Sequence, residues 1–417
     1  MDLPNISASL GVIHPVCIAR GRNADVWDEQ GRRYIDFIGG IGVLNLGHCP
    51  SAVVEAVKAQ VETLMHSAFN AVPHRGYLDV AKALERFVPL SFEATCMLTN
   101  SGAEAMENAL KVARGVTGRQ AVLAFDDAFH GRTLAALNLN GKVKPYKNRL
   151  GALPGPVYHL PFPSADSGVS AEQALAALER VFEVEVPADE VACIVVEPVQ
   201  GEGGFRMLCP RFAKALRALC DTHGIVLICD EIQSGFGRTG RRFAYTHLGI
   251  EPDIVLMGKS MAAGLPLAAL VGRAEMMGAL PRGGLGGTYS GNAVACAAAL
   301  AVMEIMSEEA LAGWASAQEA MIVDAHRRWR ESGRFPMLGA LTGIGAMRGI
   351  VFEDTASATG AEHLDALLAA GREAGVLLMP SGRRRNVLRL LAPLTTEPEV
   401  LAEGLDMIER ALEALTA

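Results

Sequence analysis

Ile225–Gln233 reads IVLICDEIQ, and Ile254–Ser260 reads IVLMGKS. Each is a short run, apolar at every position, with a charged residue at its end: Asp230 in the first, Lys259 in the second. Runs without polar alternation mark strands covered on both faces, as in the parallel sheet of an α/β protein. Thr95–Thr99, Ala121–Phe125, Ala192–Val196 and Leu267–Gly272 are similar, and helical stretches separate them. This alternation predicts a mostly parallel, doubly wound sheet. Ligands of such sheets bind beyond the carboxyl ends of the strands, so the residues after each run carry the function.

Working outward, the chain has 417 residues, 50% apolar and 20% charged, with 44 glycines. At about 100–200 residues per domain, that is two or three domains. Asp25–Phe37, DVWDEQGRRYIDF, predicts a hairpin turning at Gln30-Gly31. Ser51–Met65 predicts a helix capped by Ser51, with Val53, Val54, Val57, Val61, Leu64 and Met65 on one face. Pro398–Leu415 predicts a final amphipathic helix on Leu401, Leu405, Ile408 and Leu412. The expected division is a large domain, 51–291, beside a smaller α+β domain made of 1–50 and 292–417.

The net charge of −8 argues against nucleic acid bound by bulk charge. Arg327-Arg328-Trp329-Arg330 and Arg383-Arg384-Arg385 read as exposed arginines on a helix or loop. The eight cysteines form no CxxC and lie mostly in apolar runs, as buried reduced thiols would. MDLPNISASL has no basic-then-apolar signal pattern. No apolar run approaches the roughly 20 residues of a membrane span. A cytoplasmic protein without a membrane or nucleic-acid partner is expected.

After Thr95–Thr99 come Asn100, Ser101, Gly102 and Ala103, small residues opening a helix whose free N–H groups suit an anion. After Ala121–Phe125 come Phe129, His130, Gly131 and Arg132, an aromatic platform beside a carboxylate-binding cation. After Ala192–Val196 come Glu197 and Glu202 in a glycine-rich loop, read as partners for nearby arginines. Asp230, ending a buried strand, needs a partner such as a protonated ring nitrogen. Lys259, equally desolvated, is an amine able to form a Schiff base. Each alone has an ordinary reading as a turn, a loop or a buried ion pair. Together, and in this order, they match what pyridoxal phosphate needs. GxxxxGK[ST] and HExxH are absent, Gly40–Asn45 only begins like GxGxxG, and the dispersed histidines give no metal site.

With these motifs the chain resembles the class III, fold type I pyridoxal-phosphate aminotransferases, most of all the bacterial 4-aminobutyrate aminotransferases. The likeness spans Asp36–His48, NSGAEAMENALKVAR, FHGRT, VEPVQGEGGF, CDEIQSGFGRTG, GKSMAAGLPL, Gly283–Asn292 and Asn386–Thr395. It implies that Lys259 binds the cofactor aldehyde and shuttles a proton, and that Asp230 pairs with the pyridine nitrogen. It places Ser101, Gly102 and Ala103 at the phosphate. Phe129 and His130 lie beside the ring, Ile232 covers its other face, and Gln233 reaches its phenolic oxygen. Thr288 would reach the phosphate of a partner subunit, making a homodimer or a dimer of dimers. Arg132 would bind a distal carboxylate, Arg389 an α-carboxylate, and Ile41 would pack near the substrate chain. Glu202 would cover Arg389 when the substrate lacks an α-carboxylate.

The expected reaction is therefore 4-aminobutyrate with 2-oxoglutarate, giving succinate semialdehyde and glutamate. The alternatives are 5-aminovalerate, β-alanine, acetylornithine or ornithine as donor, or a racemase, epimerase or decarboxylase on the same scaffold. Ala103, Phe129 and the Gly382–Arg385 run depart from the commonest family pattern.

Overall fold

The computed structural model describes residues 5–416. Seven strands form the large sheet: β1 (Ala94–Thr99), β2 (Ala121–Phe125), β3 (Val157–Leu160), β4 (Val191–Val196), β5 (Val226–Asp230), β6 (Ile254–Met257) and β7 (Ala268–Arg273). Their order is β1-β7-β6-β5-β4-β2-β3. The neighbours from β6 through to β3 are parallel, whereas β7 runs antiparallel to both β6 and β1. The reversal has a simple cause. Only residues 258–267 join β6 to β7, fewer than the dozen or so that a parallel crossover needs. The sequence reading places every strand except β3, whose short VYHL run is half-exposed at the sheet edge.

Alternate residues of each strand point to opposite faces, and both faces are covered. Val226, Ile228, Ile254 and Leu256 pack under the helix Gly102–Thr117 through Ala105, Ala109 and Val112. Leu227, Cys229, Val255 and Met257 pack on the other side against the helix Pro210–His223 through Phe212 and Leu216. This two-sided cover is why these strands are apolar at every position.

A second core joins the two ends of the chain. Ile35 and Phe37 from the N-terminal hairpin meet Trp329, Phe352, Leu364, Leu390 and Ile408. The hairpin strands Asp25–Asp28 and Arg33–Asp36 pair antiparallel, and Val376–Leu377 adds a parallel strand beside them. Val387–Leu390 lies between Met347–Phe352 and Met379–Ser381 in a four-stranded antiparallel sheet.

Two expectations change. The helix Ala293–Ile305 buries Ala295, Ala298, Ala299 and Val302 in the large core. The buried set of the second unit therefore begins inside the helix Glu308–Glu331, at Ile322, later than a boundary at 291. In the helix Ser51–Val61, Pro50 is the N-cap and Ser51 makes no capping bond. Only Val53 on its apolar face is buried, and Val61, Leu64 and Met65 stay exposed in a single chain.

Ile408 is wholly buried in the second core. Ile408→Ala should cost about 2–5 kcal/mol, the range for a large-to-small core change. The exposed Arg384→Ala should cost within about 0.5 kcal/mol. Chemical unfolding midpoints measured side by side check the contrast.

Candidate active site

A cavity of about 300 Å³ opens at the carboxyl ends of the parallel strands. Ser101, Gly102 and Ala103 reach it from the end of β1, and Phe129 and His130 from the end of β2. Glu197 and Glu202 follow β4, Asp230, Ile232 and Gln233 come from β5, and Lys259 follows β6. Eleven residues singled out in the sequence thus line one space, because the strands are parallel and share a carboxyl edge.

Asp230 is 4% exposed and does not lack a partner. Its Oδ2 faces His130 Nδ1 at 2.7 Å, and its Oδ1 accepts the Ile232 N–H at 3.1 Å. Burial disfavours charge on His130, but Asp230 outweighs it and holds the imidazole above its ordinary pKa. The backbone N–H of His130 is in turn fixed by Asn140 Oδ1 at 2.7 Å. Glu197 lies close by. It accepts the N–H groups of Phe129, at 3.0 Å, and Gly201, at 3.1 Å, so it braces two site loops and holds no arginine. Burial raises its pKa to about 7, against the pull of His130.

Lys259 has a left-handed backbone, φ 45°, rare for a side chain of this kind and frequent at functional positions. Burial lowers its pKa to about 8, with Glu202 opposing. A neutral amine, the nucleophilic form, is therefore accessible near neutral pH.

Ser101 is the N-cap of the helix Gly102–Thr117, and its hydroxyl accepts the Glu104 N–H. The N–H groups of Gly102 and Ala103, in the first turn, have no partner within the helix and suit an anion. A Cβ at Gly102 would stand 2.6 Å from Ile232 Cδ1, so any larger residue there would push the Ile232 side chain aside. Among the described residues, His130 Nε2 and Gln233 Oε1 are buried without a hydrogen-bond partner. An anion cradle, a strand-end carboxylate, an amine and two unsatisfied polar atoms around one cavity fit pyridoxal phosphate.

On the substrate side, Arg389 is 1% exposed and closed on Glu202 by a fork, Nη1–Oε1 2.6 Å and Nη2–Oε2 3.1 Å. Arg389 also donates to the Pro380 carbonyl from Nε and Nη2. The carboxylate of Glu202 is penalised by burial, yet Arg389 keeps its pKa below the usual range. Arg132 is exposed and lies 4.8 Å from the Tyr146 ring centroid. Tyr146 itself tilts against Phe129, 5.2 Å between centroids.

Four expected residues do not line the cavity in a single chain: Arg132 and Arg389, and also Thr288 and Ile41. Thr288 is exposed in a separate surface recess with Asn70 and Gly286. Ile41, 40% exposed with φ 63°, lies in a kinked Gly39–Gly42 turn and does not line the cavity. The sequence reading gave no part to Tyr146 or Asn140. Asn140, wholly buried in LNLNG, left a polar-in-apolar signal; Tyr146, in an irregular loop, left none.

The class-III aminotransferase family matches residues 7–412. The chain belongs to that family. A 2-aminoadipate transaminase of Pseudomonas putida is 60% identical, covering 100% of both chains. A 4-aminobutyrate aminotransferase of Escherichia coli is 43% identical, covering 98% of this chain and 96% of its own. A 5-aminovalerate aminotransferase of Pseudomonas putida is 42% identical, covering 97% and 95%. Among solved structures, a PLP-bound amine transaminase from an uncultivated Pseudomonas species superposes with TM-score 0.89 at 28% identity, covering 100% and 99%. The ornithine aminotransferase of Toxoplasma gondii gives 0.84 at 30%, covering 99% and 92%. The fold is fold type I and the cofactor is pyridoxal phosphate. No helix among the described residues is long and apolar enough to cross a membrane.

Covalent capture of added pyridoxal phosphate by the cofactor-free protein should speed up with pH through about 8, where Lys259 loses its proton. The sign follows from the chemistry: the ammonium cannot attack the aldehyde, and the amine can. Stopped-flow absorbance against pH checks this, and Lys259→Ala should show no covalent capture at any pH.

Proposed function

We propose that this aminotransferase moves the amino group of a donor carrying a carboxylate at the far end of its chain onto 2-oxoglutarate. The observation that carries the reading is the Arg389–Glu202 fork, whose glutamate lines the same cavity as Lys259. Its arginine can bind an α-carboxylate, and its glutamate can replace that carboxylate when none is present. Arg132 is the candidate for the distal carboxylate.

2-Aminoadipate is the first donor. It differs from glutamate by one methylene and carries both carboxylates, so the same two arginines serve both half-reactions. The 60% identical relative is named for this substrate. 4-Aminobutyrate is the second reading. Without an α-carboxylate it would leave Arg389 buried and unpaired, and the closed fork answers that need.

When bound, the cofactor supplies an aldehyde carbon for the amino group and a protonated ring that draws electrons from the substrate carbon. Asp230, oriented by His130, holds the proton at the ring nitrogen. Phe129 and Ile232 would flank the ring, and Gly102 and Ala103 would hold the phosphate through their N–H groups. Lys259 would hold the cofactor aldehyde, and its Nζ would take up and release a proton at the substrate carbon, at the low proton affinity that burial imposes.

We also propose that two copies complete each site, with Thr288 of one reaching the phosphate of the other. The support is the exposure of Thr288 beside uncovered Met65, Val72, Leu78 and Tyr289. Light scattering should return at least twice the 44.1 kDa chain mass. Thr288→Ala should weaken retention of the cofactor on dialysis.

A panel of 2-aminoadipate, 4-aminobutyrate, 5-aminovalerate and ornithine, with 2-oxoglutarate and pyruvate as acceptors, tests the reading. The first two donors with 2-oxoglutarate should dominate, and preference for ornithine would overturn it. Glu202→Ala should move the kcat/KM ratio about tenfold or more toward 2-aminoadipate and away from 4-aminobutyrate, because only the latter leaves Arg389 bare.

A further inference from the structure

The Glu202–Arg389 fork is closed in this structure, and the proposed function requires it to open. An α-carboxylate arriving at Arg389 displaces the Glu202 side chain, whose backbone cannot follow it far. The Glu202 carbonyl accepts the Gly382 N–H at 2.9 Å, and the following Gly203, Gly204 and Phe205 are buried. A carboxylate that loses its cation in such surroundings is strongly disfavoured unless another donor takes it.

The cations that act most strongly on Glu202 are Arg389, Lys259 and Lys142. In the open state Arg389 is occupied by the substrate and Lys259 by the cofactor and the proton it carries. Lys142 remains. Its Nζ donates to the Gly382 carbonyl at 2.9 Å, and Gly382 is the residue whose N–H holds the Glu202 backbone. One glycine, with φ 84°, therefore ties the lysine and the glutamate together. This is the one hydrogen bond that Lys142 makes among the described residues, and an ammonium has three N–H donors. It is half-buried and carries no bonded carboxylate in the closed state. Asp127, the other carboxylate whose field reaches it, is already held by Arg206 and Arg383.

We infer that Lys142 receives the Glu202 carboxylate when an α-carboxylate occupies Arg389, and so sets the balance between α-amino and ω-amino substrates. It is a positioning residue that acts through Glu202, and the inference rests on the proposed opening of the fork. Tyr146 is the rival receiver. Its hydroxyl faces Glu202, while its ring lies against Arg132. A phenol supplies a hydrogen bond but no compensating charge, whereas the ammonium supplies both.

The test uses the holoenzyme and reads each half-reaction from the cofactor absorbance, with glutamate and with 4-aminobutyrate as single donors. Lys142→Met should lower the glutamate-to-4-aminobutyrate ratio of kcat/KM by about tenfold, the cost of leaving a buried carboxylate without its cation. Lys142→Arg should restore most of that loss. In a Glu202→Ala background, Lys142→Met should move the ratio less than about twofold, because no carboxylate remains to be received. An equal shift in both backgrounds would show that Lys142 touches substrate directly, and would overturn the inference. So would a shift in Tyr146→Phe with none in Lys142→Met. A ratio that responds to Glu202→Ala but not to Lys142→Met defeats the inference and leaves the fork standing. A ratio indifferent to Glu202→Ala defeats both.

Discussion

Arg389 is a guanidinium taken almost entirely out of water, and the rest of the site is arranged around keeping it paired. Burying such a charge costs more than most single contacts return, so its partners must be close and well oriented. Glu202 and the Pro380 carbonyl meet that demand from different parts of the chain. Arg389 sits on a strand of the second sheet, and Glu202 on the loop after β4 of the large one. The pair thus joins the two sheets where Glu202 lines the cavity. Under the proposed function, a substrate carboxylate would replace Glu202 where water could not, and the desolvation that makes the pair costly would make it selective.

The same logic runs along the sheet edge. Asp230 and Lys259 end neighbouring parallel strands, in surroundings where a lone charge is unfavourable. Asp230 is stabilised by His130 and by a backbone N–H, whereas Lys259 yields, its pKa lowered to about 8. One group is held in place by hydrogen bonds, and the other is left with a lowered proton affinity. Glu197, pushed up to about 7 beside them, braces the Phe129 and Gly201 backbones. Three buried ionisable groups therefore reach three different outcomes through their hydrogen-bond partners rather than through depth alone.

Much of this was legible in the residues. Six of the seven large-sheet strands announced themselves as unbroken apolar runs, because both faces are covered. Strand β3 did not, since a short edge strand has one neighbour and partial exposure. The charges at strand ends stood out because apolar strands rarely stop on them. What escaped notice were residues whose role is relational. Tyr146 sits in an irregular loop, and only folding brings its ring to Phe129 and Arg132. That the Ala293–Ile305 helix packs into the large core was not legible, because a helix apolar at all but one position carries no stripe to say which side it buries.

By itself, the amino-acid sequence determined the kind of sheet, which charged residues end its strands, and the cofactor. These depend on local pattern: which residue follows which strand. Tertiary structure alone decided the pairings. It set His130 against Asp230, 100 positions away, and Glu202 against Arg389, 187 positions away. It also left Thr288 and the exposed face of the Ser51–Val61 helix uncovered within one chain. The physical reason is that a buried charge is stabilised only by what lies within a few ångströms of it. Sequence order does not record that distance; the packing of the two cores does.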